Sequence, residues 1–263
     1  RRVNKKVSEI REDSKIELYN EDCMEGMKRY PDKYFELAIV DPPYGIGENK
    51  GQHKSRNTNR IDRRNGKPIV INHQGYAVKD WDDKTPDKTY FNELCRLSKN
   101  QIIFGGNYFT NYLSPSPCWI VWDKVNGDSD FADCELAWTS FKTAVRKIEF
   151  MWCGFIQGRS IEDGRTNQGN KALCELRVHP TQKPVKLYEW LLKNYAKEGD
   201  KILDTHLGSG SIAIACYNLD FDLTGFEIDK DYYEGAVKRL EEHKRQIRLF
   251  DSPKVKEMEH GIL

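Results

Sequence analysis

An α/β fold with an open, mainly parallel sheet and helices on both faces is what this sequence predicts, and three observations predict it. Short apolar runs of strand length alternate with stretches of helical spacing along the chain, the order that builds β-α units. Runs such as ELAIV at 36–40 lack polar alternation and suit a strand buried on both faces. A glycine-containing turn at 204–211 joins a strand to a helix, the position at which such sheets hold ligands. A length of 263 residues suits one α/β domain with a small insert, and 38% hydrophobic residues supply its core.

In order, 15–19 alternates apolar and polar and reads as a strand, 22–30 as a short helix, and 36–40 as a buried strand that stops at Asp41-Pro42-Pro43-Tyr44. The character changes at 49–67, where Lys50, Lys54, Arg56, Arg60, Arg63, Arg64 and Lys67 face a single acid, Asp62. With almost no apolar residues, 49–75 reads as a mobile basic loop suited to phosphates; the alternative is a solvated surface excursion. Helical spacing returns at 88–98 with Tyr90, Phe91, Leu94 and Leu97 on one side. Strands follow at 101–104, 119–122 and 135–139, and 150–176 has weak periodicity and several glycines. The helix at 184–195 starts on a proline. A strand at 201–203, a helix at 211–218, a strand at 223–228 and a long helix at 231–250 complete the pattern, with a polar tail beyond Ser252.

Composition excludes more than it identifies. The formal net charge is +1, so any nucleic-acid signal lies in how charges are arranged. Seven irregularly spaced cysteines without a C-x-x-C pair argue against a disulfide framework or structural zinc and favour reduced thiols in the cytoplasm. No apolar run approaches the ~20 residues of a membrane span, and the N-terminal residues lack a signal-peptide core.

Two constellations carry chemistry. In the first, the turn after Asp204 brings Gly208 and Gly210 to the start of a helix at Ser211. Glycines allow a close backbone approach, and the helix N-terminus favours a negatively charged group. The next strand ends in Glu227, near the ~20-residue offset of a ribose-binding acid. The turn alone also fits an ordinary strand–helix connection; with Glu227, a nucleoside ligand is favoured. Upstream, in His179-Pro180-Thr181-Gln182-Lys183-Pro184, Thr181 can cap the following helix and Lys183 can meet a carboxylate, or the segment is simply a Pro-rich helix start. Asp22 reads as a helix cap or as an acceptor for an adenine amino group.

The second constellation is Asp41-Pro42-Pro43-Tyr44, directly after a buried strand. Proline has no N–H to donate, so the neighbouring carbonyls remain acceptors. An aromatic amino group is a poor nucleophile because its lone pair is delocalised. Asp41 and the Pro42 carbonyl can bind both its hydrogens and favour a pyramidal nitrogen, while Tyr44 stacks on the base. A base in a duplex must be flipped out to reach such a site. No metal is needed.

These residues resemble the β-type DNA amino-methyltransferases, particularly the small adenine-specific ones of phages and restriction–modification systems. Asp41 to Tyr44 is similar to their D-P-P-Y motif, His179 to Pro184 to their H-P-T-Q-K-P segment, and Asp204 to Ser211 to the S-adenosylmethionine loop D-P-F-x-G-x-G-[ST]. Glu227, Asp229 and Tyr233 fit E-x-D-x-x-Y, and Asp22 the acidic position before the catalytic strand. Thr205-His206 departs from the usual Pro-Phe. The resemblance implies a Rossmann-like, circularly permuted single domain over 1–263 with one reversed strand. It implies S-adenosylmethionine as cofactor, held by Asp22, Asp41, His179, Thr181, Lys183, Asp204, Leu207, Gly208, Gly210, Ser211, Glu227 and Ile228. It also implies a target recognition insert at 141–178, where Arg146, Lys147 and Arg165 suit phosphates or guanine edges.

The expected activity is site-specific N6-adenine methylation of double-stranded DNA. The rivals are cytosine-N4 methylation, where Ser more often stands in place of Asp41, and a catalytically silent DNA-binding relative. A homodimer and a cognate restriction nuclease are compatible partners; a membrane is not.

Overall fold

The computed structural model describes residues 14–47, 82, 84–126, 132–153 and 156–250. Its centre is an eight-stranded sheet. The chain enters through β1 (Ile16–Tyr19), α1 (Cys23–Met27) and β2 (Phe35–Val40), then α2 (Lys88–Leu97), β3 (Ser98–Phe104), β4 (Trp119–Asp123), β5 (Cys134–Thr139) and β6 (Arg146–Glu149). A hairpin of β7 (Trp152–Cys153) and β8 (Ile156–Gln157) leads to α3 (Val185–Tyr195), β9 (Lys201–Asp204), α4 (Ser211–Leu219), β10 (Asp222–Phe226) and α5 (Lys230–Phe250). The spatial order is β1-β10-β9-β2-β3-β5-β4-β6. Every pairing in this sheet is parallel except the two made by β5, so β5 is the reversed strand.

Both faces of the central strands are buried, which explains their continuous apolar runs. Leu37 and Ile39 of β2 point to one core with Leu187 and Leu191 of α3, Ile212 of α4, and Ala236 and Leu240 of α5. Ala38 and Val40 point to the other, with Met27 of α1 and Tyr90, Phe91, Leu94 and Leu97 of α2. Helix starts are fixed locally. Asp22 accepts from the Met24 N–H at 2.7 Å, and Asp87 accepts from Thr89 and Tyr90, satisfying amides that have no partner inside the helix.

Two expectations need revision. Residues 146–149 belong to the sheet: β6 pairs with β4 and forms its edge. Only Ile148 and its neighbour Phe150 are well buried there, so RKIE carries no apolar periodicity. Thr181 does not cap α3. Pro184 occupies that position, and the free Val185 N–H is taken by Glu175 at 2.9 Å. Thr181 sits too far upstream and turns its hydroxyl to His179.

Candidate active site

Strands β9, β2 and β3 are parallel neighbours ending at Asp204, Val40 and Phe104. Asp41, Thr205 and Gly105 therefore emerge at one carboxyl edge of the sheet. The reversed β5 begins at this edge. Ala137 pairs with Phe104, so Glu135 lies just beyond the end of β3. Lys124 follows β4, whose Trp122 pairs with Glu135.

The tetrad Asp41-Pro42-Pro43-Tyr44 is held on several sides. The Tyr44 hydroxyl donates to Asp41 Oδ1 at 2.6 Å. Its ring stacks on Tyr108, with centroids 4.9 Å apart and planes 15° from parallel, and meets the Phe109 edge at 6.1 Å. Gly105 makes this placement possible: its φ is +65°, and a Cβ there would lie 2.2 Å from the Tyr44 ring. Past the tetrad, the buried Asp82 accepts from the Gly45 N–H at 2.9 Å and steadies the turn.

Lys183 is the centre of the site and meets carboxylates, as its place in the sequence suggested. It is 4% exposed and donates to Asp41 Oδ2, while Glu135 Oε2 lies 3.2 Å from its Nζ. Its ammonium also sits 4.6 Å from the Phe104 ring centroid, a cation–π contact. Lys124 pairs with the other oxygen of Glu135 at 2.5 Å. The row Asp41–Lys183–Glu135–Lys124 thus alternates in sign and sums to zero, which makes its burial tolerable. Burial works to raise the Glu135 carboxyl, but Lys183 and Lys124 outweigh it and bring it down to about 2. Burial lifts Asp41 above the ordinary aspartate range despite Lys183 and Tyr44. Burial opposes charge on Lys183 as well, and its two carboxylates overcome that, keeping it an ammonium. Glu135 is therefore the firmly ionised member, and Asp41 the carboxylate with the stronger tendency to accept a proton or a donor.

The second half of the site is the loop between β9 and α4. Glu227, at the end of β10, accepts from the Gly208 N–H at 2.8 Å and the Asp229 N–H at 2.9 Å, so its carboxylate ties two loops together. Gly210, at φ +71°, packs against Ala236, where a Cβ would approach within 2.9 Å. Ser211 opens α4 and accepts from Arg239 at 2.8 Å. His179 stands across from Gly208, stacked edge-on against Tyr232 at 4.2 Å. Ile228 is 66% exposed beside the nearly buried Glu227, and Leu207 is buried beneath. Burial pushes Asp204 up to about 8. At the Thr205-His206 departure a hydrogen-bond chain has formed: the Tyr90 hydroxyl meets Thr205 Oγ1 at 2.6 Å, and that oxygen meets His206 Nδ1 at 2.9 Å. Burial lowers His206 to about 4, so the ring is neutral at pH 7.

The remaining candidates are less concentrated. Asp22 is exposed and spends one oxygen as the α1 cap. Pro42 is buried and Pro43 partly so. Lys147 pairs with Asp123 and Glu149, both at 2.8 Å, and Arg165 pairs with Glu149 at 2.5 Å. Arg146 is exposed on β6. Lys50, Lys54, Arg56, Arg60, Arg63 and Arg64 lie outside the described residues, as does all of 49–75. No helix among the described residues is long and apolar enough to cross a membrane. Sequence reasoning missed Glu135, Lys124 and Tyr108. The acid inside the apolar run CELAWT was a signal for Glu135, since a buried carboxylate needs a partner. Its partner, however, comes from a distant segment.

Comparison with known proteins gives one consistent picture. A family profile described as DNA methylase, covering N6 and N4 methyltransferases, matches residues 115–238. The chain is 43% identical over 254 aligned residues to the type II methyltransferase M.HpaI of Haemophilus parainfluenzae, covering 88% of this chain and 74% of that protein. It is 25% identical to the type II methyltransferase M.HinfI of Haemophilus influenzae, covering 85% and 67%. A solved structure from Thermus thermophilus, assigned as a DNA modification methylase, superposes with a TM-score of 0.50 at 15% identity, covering 88% of this chain and 95% of the other. That likeness concerns the fold: a Rossmann-like sheet of mostly parallel strands flanked by helices.

Proposed function

Since the chain belongs to the DNA methylase family of N6 and N4 methyltransferases, we propose that it methylates the N6 amino group of adenine at a fixed site in duplex DNA. The family's cofactor is S-adenosylmethionine, which supplies a methyl group already activated as a sulfonium. What remains for the protein is to bind that donor, orient it, and present a nucleophilic amino group.

The loop after β9 suits the donor. Glu227 offers a carboxylate to a ribose at a strand end, and Ile228 exposes an apolar surface beside it for an adenine ring. The start of α4 at Ser211 and the amides of the glycine turn suit a carboxylate. Gly208 carries no Cβ, so the face of the turn opposite His179 stays open to a ligand.

The observation that carries the adenine reading is Asp41, a half-buried carboxylate at the sheet edge with Tyr44 locked against it. Asp41 and the Pro42 carbonyl bind the two amino hydrogens, which draws the nitrogen lone pair out of the ring. The Tyr44 ring supplies a face for the flipped base. Preorganised acceptors of this kind act by position and electrostatics. In the cytosine-N4 group, serine more often stands where this chain has Asp41. The test is to incubate the protein with labelled S-adenosylmethionine and duplex DNA, digest to nucleosides and weigh the products. N6-methyladenine is expected; N4-methylcytosine as sole product overturns the adenine reading, and no transfer to DNA overturns the activity.

A further inference from the structure

Asp41 faces a conflict of partners. Its Oδ1 is taken by Tyr44 and its Oδ2 by the Lys183 ammonium. A carboxylate keeps further lone pairs beside these two bonds, but an ammonium held this close draws on its charge, so Asp41 becomes the stronger acceptor for a target amino group when one of the two bonds loosens. Tyr44 is fixed by Gly105 below and Tyr108 beside it, so the ammonium is the partner that can yield. A buried ammonium cannot be released into nothing, because an unpaired charge in a low-dielectric site is strongly unfavourable.

A second acceptor stands beside it. Glu135 Oε2 is buried and takes no hydrogen bond among the described residues, although the Lys183 Nζ lies only 3.2 Å away. The other side of that carboxylate is anchored by Lys124 at 2.5 Å. Transfer of the ammonium from Asp41 to Glu135 therefore needs only rotation at the end of the lysine chain.

We propose that Glu135 is a positioning residue that takes up the Lys183 ammonium when the target amino group engages Asp41. This rests on the methyl-transfer reading above, and it assigns the charge row a task that the motif residues alone do not show. With Glu135 present, the displaced ammonium keeps a carboxylate partner throughout. Without it, Lys183 stays clamped on Asp41 and competes with the amino group.

A double-mutant cycle tests this with the full chain, S-adenosylmethionine and duplex DNA. Glu135→Gln should lower kcat by about 10- to 100-fold, within the coupling range of residues that share one charge network, while cofactor affinity stays within about twofold of wild type. In a Lys183→Met background the same change should cost less than about twofold, because no ammonium remains to be moved. Equal losses in both backgrounds overturn the proposal and assign Glu135 to supporting β4 and β5 through Lys124. A parallel fall in cofactor affinity overturns it too. If Glu135→Gln fails to fold, Glu135→Asp replaces it in the cycle; it keeps the charge but draws it away from Nζ, and the same coupling is expected. Wild-type protein that transfers no methyl group removes the underlying reading itself, whereas active wild type with uncoupled variants removes only the role of Glu135.

Discussion

The ring of Tyr44 occupies the space that a side chain on Gly105 would need: a Cβ there would sit 2.2 Å from one ring carbon and 2.6 Å from two others. Tyr108 stacks on the same ring, so Tyr44 cannot simply slide aside. Gly105→Ala should therefore push the aromatic face out of register with Asp41. It should also destabilise the protein by about 1–3 kcal/mol through overpacking, with added strain from a positive φ. Thermal unfolding and turnover measured together check this. A variant with normal unfolding and normal turnover would mean that Tyr44 is free to relocate.

Asp41→Ala separates chemistry from cofactor binding. Asp41 bonds Tyr44 and Lys183, while the loop assigned to the cofactor is held by Glu227 and Arg239. Loss of a preorganised acceptor should lower kcat by about 10²–10³-fold, and calorimetry should find S-adenosylmethionine bound with nearly unchanged affinity. Comparable loss of both would give Asp41 the cofactor-holding role that the family resemblance also implies for it.

The sequence was most informative where local chemistry decides the structure. The core strands 36–40 and 201–203 were readable from apolar runs, and α2 from the spacing of Tyr90, Phe91, Leu94 and Leu97, all four of which are buried. Asp41, Lys183 and Glu227 were recognisable from short motifs. The edge strand β6 was not, because Arg146 and Lys147 face solvent and its identity comes from pairing with β4. Glu135 was hidden for a related reason. Its meaning depends on Lys183, 48 positions away in the chain numbering, and on β5 running against its neighbours, which delivers its first residues to the active edge.

Glu227→Ala should weaken the cofactor at the ribose. Loss of charge-assisted hydrogen bonds should cost on the order of 1.5–3 kcal/mol of binding, and the freed Gly208 and Asp229 amides add to the disorder of the turn. Because the loss lies in the nucleoside half, adenosine and S-adenosylmethionine should weaken by similar factors in competition binding. Undiminished adenosine affinity would locate the ribose elsewhere.

His206 makes stability depend on pH. Its folded value of about 4 lies below the ordinary 6.5, so between those limits the unfolded chain binds the additional proton. The contribution is fully present above pH 6.5 and is lost as pH falls toward 4, amounting to on the order of 3 kcal/mol. Replacing it with phenylalanine removes the titration while keeping an aromatic ring against Tyr90. Denaturant unfolding at pH 7 and pH 5 should show a larger drop for wild type than for His206→Phe. Equal drops would show that other groups govern acid stability.

Asp204 titrates in the opposite sense. Burial raises its carboxyl to about 8, so without cofactor it is largely protonated at pH 7. Its stabilising effect is present below the unfolded aspartate value and is lost as pH rises through 8. S-adenosylmethionine carries a sulfonium and an ammonium, and a nearby cation favours the ionised carboxylate. If the donor binds beside the loop after β9, its arrival should therefore drive off part of a proton at pH 7. Titration in weakly buffered solution, or calorimetry in buffers of different ionisation enthalpy, measures that release directly. Asp204→Asn should abolish it while keeping the side-chain bond to the His206 N–H, since the amide oxygen can still accept. Undiminished release from the variant would assign the proton to another group and leave Asp204 as a structural acid of the turn.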